Sequence, residues 1–165
     1  MKVHVCEPLG NQHDRRQFDC GVSILNDYLA KYAKQDVKRK ASAVFVLVER
    51  AEPKRVIGFY TLCATSVALA ELSEEVTRKL PRYPEIPAIL VGRLARDVNH
   101  PGVGSLLLSD AITRCVRVAI EIAASIIVVD SKGEAATRFY GKFGFILLPK
   151  LPDRMFLPMQ TAEKL

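Results

Sequence analysis

The sequence predicts an α/β domain with a mixed, mostly antiparallel central sheet flanked by helices. Short apolar runs rich in Val, Ile and Leu alternate along the chain with runs whose apolar residues recur at helical spacing. A strand-like run at 87–95 leads through a glycine-containing loop at 99–104 into a helix-like run at 105–115. A second strand-like run at 125–130 is followed by a short helix-like run at 133–145. These three observations together predict the fold class.

The remaining elements are predicted from the same periodicities. Pro53 and Lys54 lie in a polar turn between two strand-like runs, which predicts a hairpin. Pro81 ends the second helix, because proline cannot continue one. The predicted elements are a strand at 3–7, a helix with Val22, Leu25, Tyr28 or Leu29, Tyr32 and Ala33 on its apolar side, strands at 43–49 and 55–63, a helix at 73–80, and a last strand near 155–159.

Length and composition are typical of one compact domain. At 165 residues, 49% of them hydrophobic, the chain can bury a substantial core, and we expect a single domain over 1–165. No segment has the length of a membrane span or the layout of a signal peptide, so we expect a cytoplasmic protein. The four cysteines and three histidines are scattered without ligand spacing, which predicts no metal site. The net charge of +6 favours an acidic partner such as RNA, CoA phosphates or an acidic protein.

The loop NHPGVG at 99–104 is the most informative motif. Gly102 and Gly104 lack Cβ atoms, so the backbone can turn sharply and approach a ligand closely. The first N–H groups of the helix that follows are free to bind a phosphate or pyrophosphate. Neither the three-glycine dinucleotide fingerprint nor the Gly-Lys-Ser/Thr nucleotide loop fits these letters.

The loop resembles the acyl-CoA loop of the GNAT family of N-acetyltransferases, whose pattern is [QR]-x-x-G-x-[GA]. Asn99, Gly102 and Gly104 occupy the patterned places. The strand SIIVVD, followed by A-x-x-F-Y-x-x-x-G-F, resembles the other signature of that family. The chain further resembles the toxin branch, whose members are paired with ribbon-helix-helix antitoxins, in four pieces spread over most of its length: FDCG with LNDYL at 18–29, VIGFYTL at 56–62, LPRYPEIPAILVGRLARD at 80–97, and VVDSKGEAATRFYGKFGF at 128–145.

The resemblance implies acetyl-CoA as the cofactor and a GNAT fold. In that fold two central parallel strands, here 88–96 and 125–130, splay apart and hold the pantetheine arm. Tyr140 is where the family places the general acid that protonates the leaving thiolate, and a tyrosine is protonated at neutral pH. The cofactor-binding residues implied are Leu94, Ala95 and Arg96 for pantetheine, Gly102, Val103, Gly104 and Ser105 for pyrophosphate, and Asn99 and Phe139 beside them.

One departure from the family pattern concerns the loop. It is about two residues shorter than is usual after Asp97, Asn99 stands where Gln or Arg is usual, and Pro101 has no N–H to donate. We therefore expect the affinity for acetyl-CoA to lie below the family norm.

The resemblance also implies the substrate, because the toxin branch acetylates the α-amine of aminoacyl-tRNA. No Glu or His is evident as a general base. An α-amine has a lower pKa than a lysine side chain and is more often neutral at physiological pH, so it depends less on such a base. Arg93 and Arg96 lie near the expected acyl site, where tRNA phosphate or ribose would supply a partner for their charge. The residues assigned to tRNA are Lys31, Lys34, Lys38, Arg82 and Arg93, although a solvated helix end accounts equally well for the lysine cluster.

Three functions of different class remain open. The first is a toxin that acetylates aminoacyl-tRNA and is neutralised by a ribbon-helix-helix antitoxin. The second is a GNAT acetyltransferase acting on a small-molecule amine or a protein N-terminus. The third is a non-catalytic GNAT-fold protein that binds a partner, which the shortened loop favours. A homodimer is an open alternative in each case.

Overall fold

The computed structural model describes all 165 residues and contains seven strands and six α-helical segments. The strands are β1 (His4–Pro8), β2 (Ala43–Glu49), β3 (Gly58–Ala68), β4 (Glu85–Arg96), β5 (Ile126–Asp130), β6 (Ile146–Leu148) and β7 (Leu151–Pro158). The α-helices are α1 (Ser23–Asp27), α2 (Ala33–Lys38), α3 (Glu74–Thr77), α4 (Val103–Glu121), α5 (Glu134–Gly141) and α6 (Met159–Ala162). A π-helical segment, Tyr28–Tyr32, joins α1 to α2, and a short 3-10 turn, Leu69–Glu71, follows β3.

The strands form one sheet in the order β1-β2-β3-β4-β5-β7-β6. The pairs β1/β2, β2/β3, β5/β7 and β6/β7 are antiparallel, whereas β4 and β5 are parallel. The parallel register runs from Ala88 opposite Ile126 to Val91 opposite Val129, and β4 continues beyond it to Arg96. The predicted mixed, mostly antiparallel sheet with a parallel central pair is confirmed.

Contacts between Cα atoms divide the chain into two compact units that are interleaved in sequence. Unit 1 comprises Met1–Cys63 and Gly92–Ala111, and unit 2 comprises Ala64–Val91 and Ile112–Leu165. The chain passes from one unit to the other within β3, within β4 and within α4. The expectation of a single domain over 1–165 stays a prediction.

The core of unit 1 is built around Phe59 of β3. Its ring meets Phe18 edge-on at 5.4 Å between centroids and lies parallel to Tyr28 at 6.2 Å. The buried residues of this core are Phe18, Tyr28, Leu29, Ala33, Val44, Val46, Val48, Val56, Phe59 and Ala95. The segment from α1 to α2 is therefore held on the sheet by its apolar side.

The π-helical segment changes which side of the first helix is buried. Leu29 and Ala33 are fully buried, as predicted, but Val22 and Tyr32, also predicted on the apolar side, are 49% and 55% exposed. A π turn inserts an extra residue per turn, which rotates the following residues around the axis, so Ala33 stays inward while Tyr32 turns outward. Val22 lies before the helix, where the π turn has no effect. Arg15 donates from Nη1 to the Ala30 carbonyl inside this segment at 2.9 Å.

Unit 2 has its own core, in which β5 is central. Its residues Ile126 to Val129 are all fully buried, as expected of a strand covered on both faces. The residues of this core are Val67, Leu72, Ile86, Ala88, Ile126, Val128, Leu148 and Phe156. The helix predicted at 73–80 is shorter than expected, Glu74–Thr77, and the helix predicted at 133–145 ends at Gly141. None of the helices combines the length and apolar character that a membrane crossing requires.

Candidate active site

The segment between β4 and α4 in unit 1 begins at a buried carboxylate. Asp97, 2% exposed, donates its N–H to the Ile57 carbonyl at 2.8 Å, which joins the end of β4 to the start of β3. Its carboxylate accepts the N–H of Asn99 at 2.9 Å and the N–H of Asp19 at 3.2 Å. Val98 donates in turn to the Asp19 carbonyl at 2.8 Å. The loop is therefore tied to the segment before α1 at its first residues.

The glycine loop then enters α4 through a left-handed residue. Gly102 has φ of 90°, a conformation that side chains rarely adopt, and a Cβ built there meets no atom within 4 Å. The space above it is therefore open to a ligand. α4 is 19 residues long, and its N-terminus carries the free N–H groups expected at the start of any α-helix, here those of Val103, Gly104 and Ser105. The structure thus places four predicted pyrophosphate residues together, around a site that favours negative charge.

Two contacts hold the start of α4 on β3. A Cβ on Gly58 would lie 2.7 Å from Leu107 Cδ1, so a larger residue there would force the buried Leu107 side chain to shift. Two residues further along β3, the hydroxyl of Tyr60 donates to Asp110 Oδ2 at 2.5 Å, while its ring stacks on Phe45 at 5.2 Å. These contacts lie within unit 1 and hold the N-terminal part of α4 against β3.

The predicted pantetheine residues occupy the end of β4. Leu94 is half-buried, Ala95 is buried, and Arg96 is exposed with its Nη1 donating to the Asp97 carbonyl at 3.2 Å. All three lie in unit 1 with the glycine loop that follows them.

Arg93 has a partner that the sequence did not reveal. The guanidinium carbon of Arg93 lies 3.6 Å from the centroid of the Tyr28 ring. The backbone N–H of Arg93 donates to Thr61 Oγ1 at 3.1 Å. Tyr28 donates from its hydroxyl to Asp36 Oδ2 at 2.9 Å. The charge of Arg93 therefore does not require a nucleic-acid phosphate, because the electron-rich Tyr28 ring already supplies a partner, and tRNA binding by Arg93 stays a prediction.

The other residues predicted to bind tRNA are exposed. Lys31 pairs with Asp27 at 3.6 Å with its side chain 63% exposed, and Lys34 and Lys38 are exposed further along the helix. These lysines lie in unit 1, whereas Arg82 is exposed in unit 2. Each is accessible to a large polyanion.

Tyr140 lies in α5 of unit 2 and is 6% exposed. Its ring meets Phe139 edge-on at 5.2 Å and Phe145 at 5.7 Å. Burial, and secondarily the negative charge of Asp130, raise the pKa of Tyr140 to about 12. The phenol is therefore fully protonated at neutral pH and can donate a hydrogen bond or a proton.

Sequence reasoning missed two groups of paired side chains in unit 1: Asp97, His100 and Glu49, and Tyr60 with Asp110. His100 was treated as isolated because its partner Glu49 lies far away in sequence. The i, i+3 spacing of Asp97 and His100 was a signal that could have linked them. Tyr60 and Asp110 were likewise not singled out, since no local pattern pairs them.

Comparison with known proteins places the chain among bacterial toxins. No protein-family model matches the sequence. The chain is 32% identical over 171 residues to a probable toxin TacT of Sinorhizobium fredii, covering 98% of this chain and 94% of the relative. It is 36% identical over 159 residues to a tRNA-acetylating toxin of Mycobacterium tuberculosis, covering 95% and 93%.

Solved structures agree with these relatives. AtaT complexed with acetyl-methionyl-tRNAfMet superposes with a TM-score of 0.89 and 28% identity, covering 98% of both chains. A tyrosine-to-phenylalanine mutant of the AtaT toxin, bound to the C-terminus of the antitoxin AtaR and acetyl-CoA, superposes with a TM-score of 0.81 and 25% identity, covering 98% of this chain and 96% of that one. The strand order and the glycine loop that opens α4 are those of an acetyltransferase of GNAT type. More narrowly, the chain belongs to the toxin branch of the GNAT family.

Proposed function

We propose that this protein transfers the acetyl group of acetyl-CoA to the α-amine of an aminoacyl-tRNA and thereby blocks translation. The observation that carries the proposal is the open, left-handed Gly102 at the N-terminus of α4, in a chain whose relatives include a tRNA-acetylating toxin. An aminoacyl-tRNA whose amine is acetylated can no longer accept a growing peptide.

Acetyl-CoA is the cofactor in this proposal, and unit 1 supplies most of its contacts. The pyrophosphate is bound by the N–H groups of Gly102, Val103, Gly104 and Ser105, because a helix N-terminus favours negative charge. The pantetheine amides pair with the backbone of Leu94, Ala95 and Arg96. Asn99 and Phe139 complete the predicted cofactor-binding set.

The reaction replaces the C–S bond of the thioester with the C–N bond of an amide. The neutral amine attacks the thioester carbonyl, the new C–N bond forms, and the C–S bond breaks with its electron pair going to sulfur. The attacking nitrogen becomes cationic and loses one proton, and the thiolate gains one. Tyr140 serves as the catalytic acid: its phenol, which a raised pKa keeps protonated, donates a hydrogen bond to the leaving sulfur as negative charge develops there, and the proton released by the amine restores neutrality.

The substrate proposal depends on charge and on the nature of the amine. An α-amine has a reference pKa near 8, so a sizeable fraction is already neutral at physiological pH and a strong general base is not needed. The net charge of +6 and the exposed Lys31, Lys34, Lys38 and Arg82 suit a polyanion. We assign these residues and Arg93 to tRNA binding.

The partners follow from the same family. AtaT in the relative's structure binds the C-terminus of the antitoxin AtaR, and we propose that a ribbon-helix-helix antitoxin neutralises this chain. Acetyl-CoA and charged tRNA are both cytoplasmic, so we place the protein in the cytoplasm.

The test compares acceptors in one assay. The purified protein is incubated with radiolabelled acetyl-CoA and total charged tRNA, with deacylated tRNA, free amino acids, a polyamine and a peptide as matched alternatives. We expect label only on charged tRNA, and its release when the aminoacyl ester is hydrolysed. Label on a small amine or peptide instead would indicate a different acetyltransferase, and the absence of acetyl-CoA binding by calorimetry would indicate a non-catalytic protein.

A further inference from the structure

The guanidinium of Arg93 is held by its face, which leaves the N–H groups on its edge free. Its central carbon lies 3.6 Å from the centroid of the Tyr28 ring. An edge-on approach would place a nitrogen between that carbon and the ring, and 3.6 Å leaves no room for one. The planar group carries its N–H donors around the edge. None of them donates within the chain, so they remain available to an anion.

The ring that holds Arg93 is itself fixed. Tyr28 is 5% exposed, its ring lies parallel to that of Phe59 at 6.2 Å, and its hydroxyl donates to Asp36 Oδ2 at 2.9 Å. The backbone of Arg93 is fixed as well, through the bond from its N–H to the hydroxyl of Thr61, which is 1% exposed. Because both partners are held, the guanidinium keeps one orientation.

The π-helical segment connects this contact to the exposed lysines. The N–H of Ala33 donates to the Tyr28 carbonyl, which is the i to i+5 bond of a π turn. Such turns occur frequently at functional sites. Lys31 lies in the same turn and Lys34 directly after it, and both are exposed. The stack of Tyr28 on Arg93 therefore joins the lysine-bearing helix to the end of β4.

The stack lies beside the residues proposed to bind the pantetheine arm. Arg93 directly precedes Leu94, the first of those residues, and both belong to unit 1. The amine of a charged tRNA has to reach the thioester at the end of that arm. The phosphates of the acceptor end of the tRNA then come close to the free N–H groups of Arg93.

We propose that Tyr28 is a positioning residue for tRNA, which holds the Arg93 guanidinium so that its N–H edge faces a phosphate of the acceptor end. The inference rests on the proposed function, because it concerns the substrate of the same site. Paired N–H donors match two phosphate oxygens only when the guanidinium plane is correctly oriented. The lysines supply charge to this surface, and the ring of Tyr28 supplies the orientation of Arg93.

The experiment compares the binding of charged tRNA by the wild type and by Tyr28→Leu over a series of salt concentrations, without acetyl-CoA. The substitution removes the ring and leaves the net charge unchanged. We expect affinity to fall about fivefold to tenfold at about 0.1 M salt, and the salt slope to fall by about 0.7 to 0.9, because one phosphate contact is lost. A loss of core packing alone does not change the number of phosphates that the protein neutralises.

Two controls separate the ring from the core in which it lies. Phe18→Leu is the matched control, because Phe18 belongs to the same core and meets Phe59 edge-on, but is not the ring on which Arg93 stacks. It should lower the melting temperature and leave the salt slope unchanged. Tyr28→Phe keeps the ring and should bind charged tRNA within about twofold of the wild type. A loss as large as that of Tyr28→Leu would contradict the role of the ring.

A double-mutant cycle tests whether Tyr28 acts through Arg93. In an Arg93→Gln background, Tyr28→Leu should change neither the affinity for charged tRNA nor the salt slope any further. A further loss of the same size would show that Tyr28 acts independently of Arg93, which would overturn the proposal.

NMR of the wild type tests the same geometry even where Tyr28→Leu does not fold. The Cδ protons of Arg93 should be shifted upfield by the ring, and should stay so when a short RNA hairpin with the acceptor-end sequence of tRNA is bound, while the Nε proton moves downfield. Loss of the upfield shift in the complex, an unresponsive Nε proton, or equal salt slopes for the wild type and Tyr28→Leu would overturn the positioning role and leave the proposed function intact. A wild type that does not acetylate charged tRNA would instead refute the proposed function itself.

Discussion

Tyr140→Phe is the variant that most directly tests the chemistry proposed for unit 2. It removes one hydroxyl and keeps the aromatic ring, which packs edge-on against Phe139 and Phe145. The residue is 6% exposed, so the surrounding side chains have little freedom to rearrange. A change in rate can then be assigned to the hydroxyl and not to lost packing.

The size of the effect follows from the pKa of about 12 that burial imposes on Tyr140. At pH 7.5 the phenol is protonated, so the donor is always available. A thiol has a lower reference pKa than this phenol, so complete transfer of the phenolic proton to the thiolate is uphill. We therefore expect Tyr140 to stabilise the departing sulfur through a hydrogen bond, while the proton released by the amine restores neutrality.

A donor of this kind contributes within the range of general acids, roughly 100-fold to 10,000-fold, and we expect a loss near the lower end. The assay is single-turnover acetylation of charged tRNA at saturating acetyl-CoA, with cofactor affinity by calorimetry and thermal unfolding on the same preparation. Affinity and melting temperature should change little, and expression of the variant should no longer arrest growth. Because the phenol of the wild type ionises only near pH 12, Tyr140 should impose no decline in turnover up to about pH 10.

Full turnover by Tyr140→Phe with unchanged cofactor affinity would refute this reasoning and remove Tyr140 from the mechanism. A lowered melting temperature with normal turnover would show instead that the hydroxyl has a structural role, worth on the order of 1 kcal/mol.

Three further predictions concern unit 1. Gly58→Ala should lower the free energy of unfolding by about 1–3 kcal/mol in a denaturant titration, because its Cβ would lie 2.7 Å from the fully buried Leu107; an unchanged midpoint would contradict the close approach. Tyr60→Phe should cost about 1.5–3 kcal/mol in the same assay, since Asp110 loses a charged hydrogen bond, and an equally stable variant would mean that this bond contributes nothing. Lys34→Glu should weaken the binding of charged tRNA and reduce the dependence of affinity on salt by about one unit of slope or more, whereas binding with the same slope would place tRNA elsewhere.

Much of the fold was predictable because each element carries its own periodic signal. β2 was predicted to the residue, since alternation and β-branched side chains mark both of its ends. The strand and glycine loop that lead into α4 were predicted from the local sequence pattern, because a backbone position that requires a positive φ is usually occupied by glycine. The family signatures added the position of Tyr140, which no periodicity distinguishes from a packed aromatic.

The class of fold, the order of the strands and helices along the chain, and the position of the glycine loop before α4 could all be predicted from the sequence, since these depend on short-range pattern and on backbone chemistry. Which charged side chains meet depends on the tertiary fold. Arg93 stacks on Tyr28, and His100 lies between Glu49 and Asp97, through contacts that span up to dozens of residues and are set by strand register. It also decided that the π-helical segment turns Tyr32 outward, because that choice is made by packing against Phe59 and its neighbours and not by the local preference of the helix.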